Sequence, residues 1–153
     1  MKNPFETGSP TVDRMSRLQI SGNVIPIAWY KTIRKATGKP NLNAIIILAD
    51  IVYWYRPKEE RDEESGQLIG MKKKFKDDYL QRSYAQMAET FGLSKRQVTE
   101  AVKALEEMGI IKLIFKTISV RGQTLNNVLF IKLIPKCNPM FVYEVSFEEL
   151  GNV

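Results

Sequence analysis

The spacing of apolar positions changes along the chain, and each change marks an element. Leu42, Ile45, Ile46, Ile47, Leu48, Ile51, Val52 and Trp54 make a run that is apolar on nearly every face of a helix. A helix of that kind is buried from several sides. Asn41 stands at the N-cap position and Pro57 closes the run, so a central core helix is expected from Leu42 to Tyr55. Ahead of it, Trp29 to Ala36 places Trp29, Ile33 and Ala36 on one helical face before Gly38 and Pro40 interrupt. Residues 17–27 read as a short strand or turn, and residues 1–16 as a flexible N-terminal arm. Residues 56–70 are dominated by Lys, Arg, Glu, Asp, Ser and Gly and read as a long exposed loop. The cluster Lys72, Lys73, Lys74 and Lys76 follows, and then Tyr79 to Arg82 as a short strand.

The segment from Ser83 to Gly109 is the most specific. Ser83 and Gln86 have capping-box spacing, and Met87, Ala88 and Phe91 fall on one face of the helix they open. Gly92 permits a sharp turn at positive φ, Leu93 fills the corner, and Ser94 caps a second helix. In that helix Val98, Ala101, Val102, Leu105 and Met108 form a core stripe, and Gly109 ends it. Two helices joined by a short glycine-containing turn describe a helix-turn-helix. Ile110 to Val120 and Val128 to Ile134 then read as strands, with turn chemistry at Arg121 to Asn127 between them and Pro135 after.

Charge and composition narrow the function. The 153 residues hold 23 Lys and Arg against 17 Asp and Glu, a net charge of +6. Residues 71–136 carry 13 basic and 6 acidic side chains, whereas residues 137–153 form an acidic, aromatic tail with three acidic groups and no basic one. A basic body is the electrostatic footprint of a polyanion partner. There is no histidine and a single cysteine, Cys137. That excludes histidine-based triads, metal sites built from histidine or from several thiolates, and intrachain disulfides. The carboxylates Glu59, Glu60, Asp62, Glu63 and Glu64 share one charged segment, and no phosphate-cradling glycine motif is present. The expectation is a non-enzymatic protein with no cofactor, no signal peptide, no membrane association and a cytoplasmic location.

Ala88, Gly92 and Val98, spaced four and then six apart, resemble the helix-turn-helix of bacterial DNA-binding proteins at each position. The full order of helix, short strand, helix, turn, helix, strand, loop and strand over residues 41–135 resembles a winged helix. The expected fold is therefore mainly α with a small antiparallel β wing, an α+β winged helix-turn-helix spanning residues 17–136 with its N-terminal extension. Double-stranded DNA is the expected partner. Ser94, Lys95, Arg96, Gln97, Thr99 and Lys103 would face the major groove, and Arg121, Gln123, Asn126 and Asn127 of the wing would face the backbone or minor groove.

A further likeness covers Gly22 to Pro26, Trp29-Tyr30 and Ala44 to Pro57, with the run Tyr53-Trp54-Tyr55-Arg56-Pro57. These residues are similar to the N-terminal domain of DnaD-like replisome organisers. That resemblance implies replication initiation of a phage, plasmid or other mobile element, and a helicase or helicase-loader partner. A winged-helix transcriptional regulator and a protein-protein module are the alternatives. Apolar residues on both faces of the wing strands lead to the expectation of a homodimer or of a docked partner.

Overall fold

A computed structural model describes residues 3–135. The order of elements is α1 (Pro10–Ser16), α2 (Trp29–Thr32), α3 (Leu42–Tyr55), β1 (Lys58–Arg61), β2 (Leu68–Lys72), β3 (Leu80–Gln81), α4 (Tyr84–Phe91), α5 (Lys95–Glu107), β4 (Ile111–Val120) and β5 (Gln123–Leu133). Helices α3 and α5 pack on a three-stranded antiparallel sheet of order β3-β5-β4, and α4 packs against α5, which is a winged helix of the α+β class. Among the described residues, no helix is long and apolar enough to cross a membrane.

Helix α3 forms where expected. Asn41 Oδ1 accepts from the Ala44 amide at 3.3 Å, and the residue before Pro57, Arg56, is extended. The helix buries Ala44, Ile45, Ile47, Leu48, Ala49 and Ile51 beside Trp29 and Ile33. Its last residue ties it to the sheet. The Tyr55 hydroxyl donates to the Ile131 carbonyl and accepts from the Leu80 amide at 3.1 Å, so one side chain holds β3 and β5. Burial raises the Tyr55 phenol above its ordinary pKa, which keeps the proton that this bond requires.

Three sequence expectations are overturned and a fourth is narrowed. Residues 10–16, within the expected flexible arm, form a helix capped by Ser9 and opened by Pro10, although it buries nothing. Of the strand or turn expected at residues 17–27, no strand forms and turns remain. Helix α2 stops at Thr32, because Ile33 turns extended and its amide closes the last turn on the Trp29 carbonyl; Ile33 is still buried. Residues 56–70 are not a loop. They contain β1 and most of β2, an antiparallel hairpin with Lys58 opposite Lys72 and a bulge at Glu60/Arg61. Its turn is built by Asp62, whose Oδ1 accepts from the amides of Glu64 and Ser65 at 2.8 and 3.0 Å. Residues 137–153, the expected acidic tail, lie outside the described residues.

Candidate nucleic-acid interface

Two capping boxes set the helix-turn-helix. Ser83 and Gln86 exchange hydrogen bonds at the start of α4, and Ser94 and Gln97 do the same at the start of α5. Gly92 sits at φ +67°, in the left-handed region, and turns the chain between them. The Leu93 amide bonds back to the Ala88 carbonyl at 3.0 Å. Met87 and Val98 are fully buried, and Ala88, Phe91 and Leu93 pack against the same core.

Helix α5 ends in a Schellman motif. The Ile110 amide reaches the Leu105 carbonyl at 3.0 Å and the Gly109 amide reaches Glu106 at 2.9 Å, with Gly109 at φ +76°. Leu105 and Ile110 are both fully buried, which supplies the hydrophobic contact of that motif. Met108, expected in the core stripe, caps the helix and is 37% exposed.

With Val98, Ala101, Val102 and Leu105 inward, α5 presents Lys95, Arg96, Glu100 and Lys103 to solvent. The Arg96 side chain is 89% exposed and pairs with Glu100 at 3.1 Å. An exposed pair of this kind is worth little and gives way to a better partner. The other expected contacts are committed elsewhere. Ser94 Oγ and Gln97 Oε1 serve the cap, and Thr99 Oγ1 donates to the Lys95 carbonyl at 2.7 Å. A groove of about 470 Å³ runs beside this helix, lined by Arg34, Lys35, Asn41, Asn43, Gln97 and Glu100. Arg34 donates to the carbonyls of Lys31 and Gly38 and so shapes the turn that carries Lys35 and Lys39.

The wing differs from its expected form. Its tip is two residues, Arg121 and Gly122, with Val120 opposite Gln123. Both tip residues have positive φ, +52° and +78°, as a type I′ hairpin turn requires. Gln123, Asn126 and Asn127 lie inside β5 instead of in a loop. Asn126 and Asn127 oppose Thr117 at a bulge between the Lys116–Val128 and Ile118–Leu125 pairs, and Asn127 is at φ +55°. The Thr117 hydroxyl bonds Asn126 Oδ1 at 3.3 Å. Asn127 lines a groove of about 350 Å³ at the wing base with Gln81, Ser83, Gln86 and Phe115. Of the four expected wing contacts, Arg121 and its strand neighbour Gln123 are thus nearest the tip.

Arginine in the left-handed region is strained by roughly 1 kcal/mol where asparagine or glycine would not be. Replacing Arg121 by Asn should therefore preserve or improve thermal stability. If the tip touches the DNA backbone, the same change makes the slope of log affinity against log salt shallower by about 0.9. Titration of the variant at several salt concentrations reads this directly, and an unaltered slope would place the tip off the DNA.

Two features lie outside the expected site. The first is Asp50, 6% exposed within the apolar helix α3. Arg82 Nε meets its Oδ2 at 3.2 Å, and Arg82 Nη2 reaches Thr90 Oγ1 at 3.4 Å, so one guanidinium links α3 to α4. An acid in the middle of an apolar run was the available signal, since a buried carboxylate needs a partner. The second is the outer face of the wing sheet. Lys112, Lys116 and Lys132 interrupt its apolar residues, so that face is not the continuous greasy surface that a homodimer argument needs. The exposed apolar groups of the wing are Phe115, Val120 and Leu125.

Lys74, one of the basic cluster, is also placed. Its ammonium donates to the Tyr53 carbonyl at the C-terminus of α3 and lies 3.8 Å from the centroid of the Tyr53 ring. Desolvation there, followed by repulsion from Arg56 and Lys58, lowers its pKa.

Residues 81–112 match the family of winged helix-turn-helix DNA-binding domains. The match runs from the end of β3 through α4 and α5 into β4 and does not reach the segment from Gly22 to Pro57. No curated protein and no solved structure matches the chain. The two capped helices and their left-handed glycine turn make up most of the matched segment, so the part of the chain with helix-turn-helix geometry is also the part that resembles this family.

Proposed function

We propose that this protein binds duplex DNA sequence-specifically, with the N-terminal half of α5 in the major groove and the Arg121-Gly122 tip on the backbone. The observation that carries the reading is the division of α5. One side is wholly buried against α3 and α4, and the other offers Lys95, Arg96 and Lys103 on a rigidly capped helix. Long cations projecting from such a helix hydrogen-bond guanine edges and phosphates. The strained cation at the hairpin tip agrees with a second contact, because strain of this kind collects at functional positions.

Transcriptional regulation needs nothing more than this surface. A role in replication initiation of a phage, plasmid or other mobile element needs, in addition, a surface for a helicase or loader. That finer role rests on the likeness of residues 22–57 to DnaD-like organisers alone. In the fold, Trp29, Trp54 and Tyr55 from that stretch serve the core.

Selection from random duplexes supplies a preferred site, and Arg96→Ala then tests the reading. The substitution should weaken binding to that site by about 1–3 kcal/mol and relax preference at one base position. Thermal stability should hold, because the side chain faces water. Equal affinity and equal preference at fixed salt would remove Arg96 from the interface.

A further inference from the structure

The outer face of the three-stranded sheet carries a cluster that the duplex-binding reading does not use. Register places Lys112 directly opposite Lys132, Ile114 opposite Phe130, and Lys116 opposite Val128. Partners in an antiparallel pair share a face, and Cβ atoms directly opposite are about 5 Å apart. On β3's side, Leu80 pairs with Ile131, which brings Tyr79 beside Lys132. The Lys132 ammonium lies 5.8 Å from the centroid of the Tyr79 ring, and the Lys116 ammonium lies 5.5 Å from the same ring and 5.1 Å from that of Phe130. Two cations thus converge on one half-buried tyrosine, with a third, Lys112, in the next strand. Among the described residues none of the three lysines makes an ion pair, and Asp77 and Asp78, just before Tyr79, make none either.

Like charges directly opposite in a sheet destabilise it. The fold accepts that cost on the face turned away from α5, since Ile111, Ile131 and Leu133 occupy the face that packs on the helices. A flat sheet surface with an aromatic ring flanked by ammonium groups suits one ligand chemistry: unpaired bases joined by phosphates. The ring offers a base its face and the lysines offer the phosphates their charge. A duplex would present phosphates but no exposed base face to the ring.

We infer that the outer sheet face, through Tyr79, Lys112, Lys116 and Lys132, is a binding surface for a single-stranded nucleic acid, separate from the α5 interface. The cation–π contacts hold the lysines near the ring until phosphates draw them off and a base replaces them. This assignment stands independently of duplex recognition by α5.

The test uses the full chain and a fluorescent oligothymidylate of about 12 nucleotides, within the usual span for such surfaces. The wild-type protein should bind it in a salt-dependent manner. The triple variant Lys112→Gln, Lys116→Gln, Lys132→Gln should bind at least about tenfold more weakly at low salt, and the log–log salt slope should fall by about 2, at ~0.7 per phosphate contact. Tyr79→Leu should weaken binding roughly tenfold while leaving the slope unchanged. Thermal melting controls for folding: the triple variant loses a like-charge clash and should melt no lower than wild type. Binding to a duplex selected on the wild type should be unchanged in all of these variants. No binding of the oligothymidylate by wild type, or equal binding by the triple variant, overturns the inference. So does a loss that falls on the duplex instead, which would make this face part of the duplex interface. Loss of duplex binding in Arg96→Ala with oligothymidylate binding intact would support two separate surfaces.

Discussion

Arg82→Ala should destabilise the fold by about 3 kcal/mol or more, the usual result of stripping one partner from a buried ion pair. Asp50 is 6% exposed and Arg82 Nε is its only ion-pair partner among the described residues, at 3.2 Å. Removing the guanidinium leaves a carboxylate inside an apolar helix with no cation. It also cuts the contact to Thr90 and so loosens α4 against α3. DNA binding should weaken as a consequence of unfolding, although Arg82 does not lie on the exposed side of α5. Denaturant unfolding reads the loss as a lower midpoint with an unchanged slope. Replacing both partners, Asp50→Leu with Arg82→Met, should recover most of the stability, because an apolar pair of similar volume often matches a buried ion pair. An Arg82→Ala protein with the wild-type midpoint would mean that the pair contributes nothing.

Val98→Asp should have an effect at least as large. Val98 is fully buried, on the side of α5 that packs against α3 and α4. The substitution removes an apolar side chain worth about 1.5–3 kcal/mol of burial. It also places a carboxylate where it must stay charged without a partner or take up a proton, at several kcal/mol more. Against a total stability of about 5–15 kcal/mol for an ordinary domain, the folded state should be largely lost. Circular dichroism and a thermal melt decide this, and a variant that melts like wild type would mean that the register of α5 is wrong. Val98→Ala, which leaves only a small cavity, should fold and retain its DNA preference.

How much of this was legible in the sequence depended on how local the cause was. The helix-turn-helix was readable because its determinants lie within a few residues of one another: a serine cap, a left-handed glycine, a stripe of small and branched residues. The second capping box, Ser94 with Gln97, has the same three-residue spacing as the first. Gln97 is expected at a base edge, and its side-chain oxygen also bonds the Ser94 amide. The hairpin of β1 and β2 was illegible for a physical reason. β1, Lys58–Arg61, is exposed throughout, so no period-two pattern of burial marks it as a strand. In the wing the same residue types serve two purposes. Asn126-Asn127 looks like turn chemistry, yet Asn127 uses its tolerance of positive φ in a bulge, and the turn itself is Arg121-Gly122. The partner of Asp50 lies 32 residues away, and no local pattern could name it. On the sheet, only the register between β4 and β5 brings Lys112 opposite Lys132, and register is not a local property of either strand.

Methylation interference on the selected site reads whether α5 occupies the major groove of duplex DNA. Dimethyl sulfate methylates guanine at N7, an acceptor on the major-groove edge that arginine and lysine use. Methylated guanines within the site should be excluded from the bound fraction, and Arg96→Ala should relieve the exclusion at one of them. Bound DNA carrying the same methylation pattern as free DNA would contradict that placement of α5.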